Sequence, residues 1–449
     1  MTRPYRQSIH YKLLLVLIVA ASCVRVFVCF QHNPMDYLIS DMLRHWSNGV
    51  GFPRGGYTGA ADPIIYQIYV SVLHHLSFDN RIVVALASAL LSVLMPWTYY
   101  RAARDFGLGK IPALWVWVLI ALTPSLITIY HYVMMETLLL FVQGVALWMT
   151  ARYLRKGGLI AFLVFIFCWT VASLTKPTVV PLAVICSLWV WWKKSTPVRD
   201  IALGALLAAV MLVPQAIRTR IELGFVAPFG NPWLAKLMLR SGARATEFHF
   251  YTHAIDSVKF DPNVKDADMI FSSPSCYIMP LYPLSDWTMR RARITSKARV
   301  LISSVRGERD WKLAYDSFNN DPDEWVAEWR ENIILFFFAQ SWPDSNWGQW
   351  DGWLCYQSRW LWAPLTLVVF VGNIREFLAR RFALIPVAVT LFTLMLALQN
   401  VVITEGRYRK PVEPLLLLNL VWVLSSKSLS SAHGGELKAV PAEASEAAV

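Results

Sequence analysis

Long apolar runs punctuated by short polar turns organise most of this chain. After a basic stretch from Arg3 to Lys12, the first run covers about 13–30. Others follow at roughly 82–100, 111–129, 136–153, 158–174, 177–192, 199–216, 359–374, 382–402 and 411–425. A helix needs about 17 to 25 apolar residues to cross a bilayer. The pattern therefore predicts an all-α polytopic membrane protein with about ten transmembrane helices. No small-residue cleavage site follows the first run, so it is read as a retained helix.

Charge assigns sides to these helices. Cytoplasmic turns collect Lys and Arg, which places the N-terminus in the cytoplasm. Alternation then puts Arg101, Arg104 and Lys110 on that side, with Arg152, Arg155 and Lys156, with Lys193, Lys194 and Arg199, and with Arg375, Arg380 and Arg381. No basic cluster breaks the parity. Four segments fall outside: a first loop at 31–81, a tight turn near 130–135, a polar region at 217–358 and a short basic loop at 403–410. The chain thus divides into a transmembrane core at 1–216, an external polar region of mixed structure at 217–358, C-terminal helices at 359–425 and a disordered tail at 426–449. Both termini are expected in the cytoplasm of a cell with this protein in its plasma (inner) membrane. No internal repeat is visible.

Composition sharpens this picture. The chain is 56% hydrophobic and only 16% charged, where a soluble domain carries about 25% charge. The net charge of +12 does not indicate nucleic acid, because the basic residues cap the ends of apolar runs. The 21 Trp residues suit interfacial belts and sugar-stacking surfaces equally. Cys23, Cys29, Cys168 and Cys186 read as small hydrophobes in or beside spans. Cys276 and Cys355 fall outside the cytoplasm, where a disulfide between them is as open as two free thiols. No cysteine spacing suggests a metal site.

The first external loop is rich in candidate chemistry. In NPMDYLISDMLRHWSNGV, residues 33–50, Met35, Leu38, Ile39, Met42, Leu43, Trp46 and Val50 recur at helical spacing. Tyr37, Ser40, Asp41, Arg44, His45 and Asn48 take the other face. This predicts an interfacial amphipathic helix whose polar face turns toward water or a cavity. Asp36 follows Asn33-Pro34, a cap and first helical position, so dipole compensation accounts for it without a site. Asp41 reads either as a surface ion pair with Arg44 or as a site residue one turn before His45. Gly55, Gly56 and Gly59 form a loop able to wrap a ligand. Asp62-Pro63 then opens a second helix, with Tyr66, Gln67 and Tyr69 placed to face a sugar. Asp62 is equally a helix cap or a ligand.

Two later external turns add acids and bases. Glu136 begins a span after Tyr130 and His131, near the bilayer boundary. An ionisable residue there is a functional candidate by default, although the N-terminal helix dipole also favours it. Lys176-Pro177-Thr178 opens the sixth span on the same side. The stretch TEGRYRKPVEP then gathers Glu405, Arg407, Tyr408 and Arg409 where the positive-inside rule disfavours cations. An anionic lipid head group supplies a reason, since Arg offers a planar fork of donors to phosphate. Snorkelling to the interface is the alternative.

In their order and sidedness these motifs resemble the GT-C superfamily of polyprenyl-phosphate-sugar-dependent glycosyltransferases. They look closest to the branch containing protein O-mannosyltransferases and the lipid A aminoarabinose transferase. SDMLRH, residues 40–45, is similar to the family's acidic element on an interfacial helix after the first span, which puts Asp41 in the catalytic place. The family's second acidic position maps onto Glu136. Its basic signature before a late span is similar to Arg407-Tyr408-Arg409 followed by Pro411. The resemblance covers roughly 10–220 and 355–425. The Asp-Glu pair common in the family's first loop is absent, which leaves Asp36 open as the counterpart of the family Asp. Region 217–358 resembles no acceptor-binding domain.

The resemblance implies transfer of a sugar from a polyprenyl-phosphate donor to a glycan, lipid or protein acceptor on the external face, with inversion. Asp41 would act as general base, a contribution of about 10² to 10⁴ in rate. Arg407, Arg409 and Lys176 would balance charge on the leaving phosphate. Glu136 and His45 would orient the acceptor or Asp41, with Asp36, Arg44, Asp62, Tyr66, Gln67, His131, Glu405 and Tyr408 completing the site. No cofactor is expected, with a divalent ion between Asp41 and Glu136 as the alternative. Trp342, Trp347, Trp350 and Trp353 suit either sugar faces or membrane anchoring. Three rival readings remain: a polysaccharide ligase or polymerase with a diphosphate-linked donor, a transporter, and a non-catalytic scaffold or receptor. Transport predicts repeats, broken helices and charges at mid-membrane. Arg25, the clearest charge within an apolar run, is expected to snorkel to the external end.

Overall fold

The computed structural model describes residues 3–38, 40–53, 62–223, 226–230, 269–271, 292–294, 333, 336, 337, 350–399 and 406–433. Side chains are described for these except at 3–8, 37, 40, 41, 223, 269–271, 292–294, 350–353, 355, 356, 359, 399, 406, 407 and 426–433.

Each of the ten apolar runs is helical. In chain order they are α1 (Arg3–Gln31), α4 (Arg81–Asp105), the pair α5 (Lys110–Leu122) and α6 (Pro124–Thr128), α7 (Met135–Lys156), α8 (Leu159–Thr175), α9 (Val180–Lys193), α10 (Val198–Leu223), α11 (Trp350–Leu378), α12 (Leu384–Gln399) and α13 (Glu413–His433). Between α1 and α4 lie α2 (Ser40–Val50) and α3 (Ile64–Ser77). Among the described residues two three-residue strands, β1 (Met269–Phe271) and β2 (Ala292–Ile294), pair antiparallel. α13 continues to His433, into the segment expected to be a disordered tail.

Among the described residues five helices are long and apolar enough to cross a membrane, and α5 with α6 and the turn after it makes a sixth, bent by 67°. Much of the outer surface is apolar. Leu13, Val16, Val19 and Phe27 of α1 and Ile82, Leu86 and Leu90 of α4 are exposed, whereas Ser88, Ser92, Thr98, Gln143 and Thr150 are buried. Apolar side chains outside and satisfied polar groups inside are what a lipid surround demands. The core joins α4, α5, α7, α8, α9 and the C-terminal helices in one apolar cluster. α4 and α7 approach closely at Gly144, where a Cβ would sit 2.0 Å from Thr98 Oγ1.

The predicted span at 111–129 breaks at Thr123-Pro124. Proline has no N–H to donate, so the last carbonyls of α5 lose their helical partners. Arg25 replaces them. Its Nε donates to the Ala121 carbonyl at 2.8 Å and its Nη2 to Ile120 at 2.7 Å. Nη1 reaches the Ser92 carbonyl at 2.9 Å and Leu126 at 3.1 Å. Arg25 is fully buried and does not snorkel. A cation among the carbonyls at a helix C-terminus is also favoured by the helix dipole.

The first loop departs from the single helix expected over 33–50. Asn33 caps a short 3-10 turn, Pro34–Tyr37, by accepting from the Met35 amide, and α2 starts afresh at Ser40. Met42 and Trp46 are buried as predicted, but Leu43 and Val50 are exposed, and His45 and Asn48 of the polar face are buried. His45 and Asn48 turn inward because the turn into α3 offers them the Asp62 carboxylate.

Candidate functional site

Asp62 gathers the first loop around itself. His45 Nδ1 lies 3.2 Å from Asp62 Oδ2, Asn48 Nδ2 donates to the same oxygen at 3.0 Å, and Arg44 Nε stands 3.3 Å away. Burial alone would push the Asp62 carboxyl up, but His45, then Arg44 and Asn48, outweigh it and hold it below the usual carboxylate range. Asp62 is therefore ionised at neutral pH, and it orients His45 with the Nδ1 proton directed at the carboxylate. The helix-cap alternative falls, because α3 is capped by Pro63 without a side-chain bond.

The Asp62 main chain is held as firmly. Its carbonyl accepts from Gln67 Nε2 at 2.8 Å, and Gln67 Oε1 accepts from Arg218 Nη1 at 2.8 Å. Gln67, expected to face a sugar, instead pins the turn to α10. Among the buried polar atoms here, His45 Nε2 and Arg218 Nη2 make no hydrogen bond among the described residues. Buried polar atoms are nearly always satisfied, so each such exception calls for a ligand or water.

Tyr66 links this group to the next. Its ring meets His45 edge-on at 5.4 Å, and its hydroxyl feels the charges of Asp62 and Glu136. Burial first, then Tyr69 and those carboxylates, raise its phenol well above the usual value. Beyond it, Glu136 in the first turn of α7 forms a buried ion pair with Lys176 at the end of α8. Lys176 Nζ also lies 5.4 Å from the centre of the Tyr408 ring. Three turns distant in sequence thus meet, all from the side the charge pattern assigns to the exterior.

The late basic loop divides its cations. Arg409 is fully buried, donating to Glu413 Oε1 at 3.1 Å and to the Phe336 carbonyl at 2.6 Å, with its guanidinium 5.5 Å from the Trp362 ring. Lys410 donates to the Ser125 carbonyl, and Ser125 Oγ donates to Glu413 Oε2 at 2.8 Å. Gln143 Nε2 donates to the Pro411 carbonyl at 2.7 Å. The sequence pattern assigns Arg409 to phosphate. Its Nε and Nη1 fasten the start of α13 to the Phe336 backbone through the buried Glu413 carboxylate one turn on, while Lys410 and Glu413 tie the same loop to Ser125 of α6.

Other candidates lie apart. Asp36 pairs with Arg81 at the start of α4, at the surface. His131 is buried and stacked on His32, ring centroids 4.8 Å apart. Gly55, Gly56, Gly59, Glu405, Cys276, Trp342 and Trp347 lie outside the described residues, as do the side chains of Asp41, Arg407, Cys355, Trp350 and Trp353. Sequence reasoning missed Arg218 and Glu413. Arg218 had a signal, being a cation near the C-terminal end of the apolar helix α10. Among the described residues no group of three or more His, Cys, Asp or Glu gathers to hold a metal ion.

No protein-family model matches the chain, and no curated protein is significantly similar to it.

Proposed function

We propose that the protein is a membrane glycosyltransferase that moves a sugar from a polyprenyl-phosphate donor to an acceptor hydroxyl at the external face of the plasma membrane. One observation carries the reading: an imidazole held by an ionised carboxylate, its far nitrogen buried and without a partner among the described residues, beside a buried Glu-Lys-Tyr group. A base that is oriented through one nitrogen and open at the other is poised to take a hydroxyl proton. His45 fills that role through Nε2, with Asp62 as its positioning residue. Asp41, one turn before His45 on α2, is not needed for that geometry and stays the alternative base. Lys176 is the cation that would meet the leaving phosphate, with Arg407 beside Tyr408 in sequence as its partner.

The same reading includes ten crossings. The five long helices, the bent pair and the shorter apolar helices at Leu159–Thr175, Pro177–Lys193, Leu384–Leu398 and Glu413–Ser425 occur in the predicted order. A cytoplasmic N-terminus then puts α2, α3, Glu136, Lys176 and Tyr408 on one external face.

A second reading has its own support. The bent pair with buried Arg25 is the kind of broken span that transporters place at their binding sites. One experiment separates them. Purified protein in liposomes receives a radiolabelled polyprenyl-phosphate sugar and an acceptor extract, and His45→Gln and Asp41→Asn are compared with wild type. Transfer that falls about 10² to 10⁴-fold in His45→Gln supports the base assignment. A near-normal rate in that variant removes it. Donor movement across the bilayer without any transfer product overturns the enzyme reading in favour of transport.

A further inference from the structure

A second polar feature lies at the opposite end of α7 from Glu136. A cavity of about 260 Å³ is lined by Tyr100, Arg101, Arg104 and Asp105 from α4 and by Arg155 from α7. Arg155 is nineteen positions beyond Glu136 on the same helix, which separates them by about 28 Å at 1.5 Å per residue. The cavity is therefore distinct from the site described above and owes nothing to it.

Its lining is built, not merely basic. Asp105 accepts from Trp148 Nε1 at 2.9 Å and pairs with Arg155 Nη1 at 3.0 Å, so its carboxylate is already engaged. Arg104 reaches the Leu108 carbonyl at 3.1 Å through one nitrogen. Arg101 is clamped by aromatic rings, 4.8 Å from Trp148 and 5.8 Å from Trp97, and donates no hydrogen bond among the described residues. Cation–π contact with the two rings holds the guanidinium while its N–H groups stay free to donate. Three arginines and one aspartate leave a local charge of +2.

Loose snorkelling lysines would satisfy the positive-inside rule just as well. A ring-clamped arginine fork beside a cavity matches the oxygens of a phosphate group. We propose that this cavity binds the phosphate of an anionic membrane lipid, taken from the leaflet that meets the C-terminal ends of α4 and α7. Basic pockets between transmembrane helices have this character. The lipid would cross-link α4 to α7 at the end remote from the candidate site.

The test uses the full-length protein in nanodiscs and detergent, with native mass spectrometry and thermal unfolding as readouts. Phosphatidylglycerol is compared with phosphatidylcholine, and excess inorganic phosphate serves as competitor. Wild type should retain phosphatidylglycerol and gain thermal stability from it. Arg101→Gln and, separately, Arg104→Gln should weaken retention by about tenfold, the effect expected of one charge-assisted contact. Arg199→Gln, on an exposed arginine at the start of α10 paired with Asp200, should leave it unchanged. Equal retention in wild type and Arg101→Gln overturns the proposal, as does an equal loss in Arg199→Gln, which would mean general surface charge. Full displacement by inorganic phosphate would assign the cavity to a soluble anion and overturn the lipid source.

Discussion

Lys176 and Glu136, forty residues apart, form an ion pair buried between the end of α8 and the first turn of α7. Removing one partner of a buried pair strands the other charge, at a cost of about 3–5 kcal/mol. Lys176→Met and Glu136→Leu should each lower the unfolding temperature sharply, while the double substitution should recover much of the loss. Sugar transfer should be lost in all three. Strict additivity of the two unfolding shifts would show that the residues are not coupled.

Asp62 ties α2 to α3 with a carboxyl held below its usual range. A depressed folded pKa contributes stability that is complete above the unfolded value, about 3.9, and is lost as pH falls through the folded one. Hydrogen exchange over 42–50 should therefore be insensitive to Asp62 titration from neutral pH down to about 5 and accelerate below about pH 4. Asp62→Asn should exchange faster at neutral pH and lack the acid step. An unchanged acid step in that variant would assign the transition to another group.

Arg25 covers four main-chain carbonyls around the break in α5. Each carbonyl left buried and unpaired costs about 1–3 kcal/mol. Arg25→Met should destabilise the protein by several such increments, and Arg25→Lys should recover only part, because a compact ammonium cannot span the same acceptors. Thermal unfolding in detergent reads both, and wild-type behaviour in Arg25→Met would refute the capping role.

Gly144 is needed for contact between α4 and α7. A Cβ there would lie 2.0 Å from Thr98 Oγ1 and 2.9 Å from Tyr99 Cε2. Gly144→Ala should destabilise by about 1–3 kcal/mol through overpacking. Thr98→Ala, which removes the nearest atom, should restore part of that stability. No interaction between the two substitutions would place the helices farther apart.

Much of the candidate site was legible in the chain. Glu136, Lys176 and Tyr408 stood out because ionisable and aromatic groups at the ends of apolar runs need a reason, and these three do meet. His45 and Asp62 were both visible, but their bond was not. Seventeen residues and a Gly-rich stretch separate them, and nothing local distinguishes a capping Asp from one that holds a histidine. Arg409 shows the converse. Its position in a basic loop suggested phosphate, and only the packed structure showed that its Nε and Nη1 donate to Glu413 one turn later and to the Phe336 carbonyl.

The run lengths by themselves determined a helical architecture with apolar helices of membrane-crossing length, because crossing a bilayer imposes a local requirement on every segment. Which polar groups pair was decided only by the packed structure. Ser125 and Glu413 are 288 positions apart, and hydrogen-bond partners inside such a bundle are chosen by which helix faces touch, a property no local pattern records.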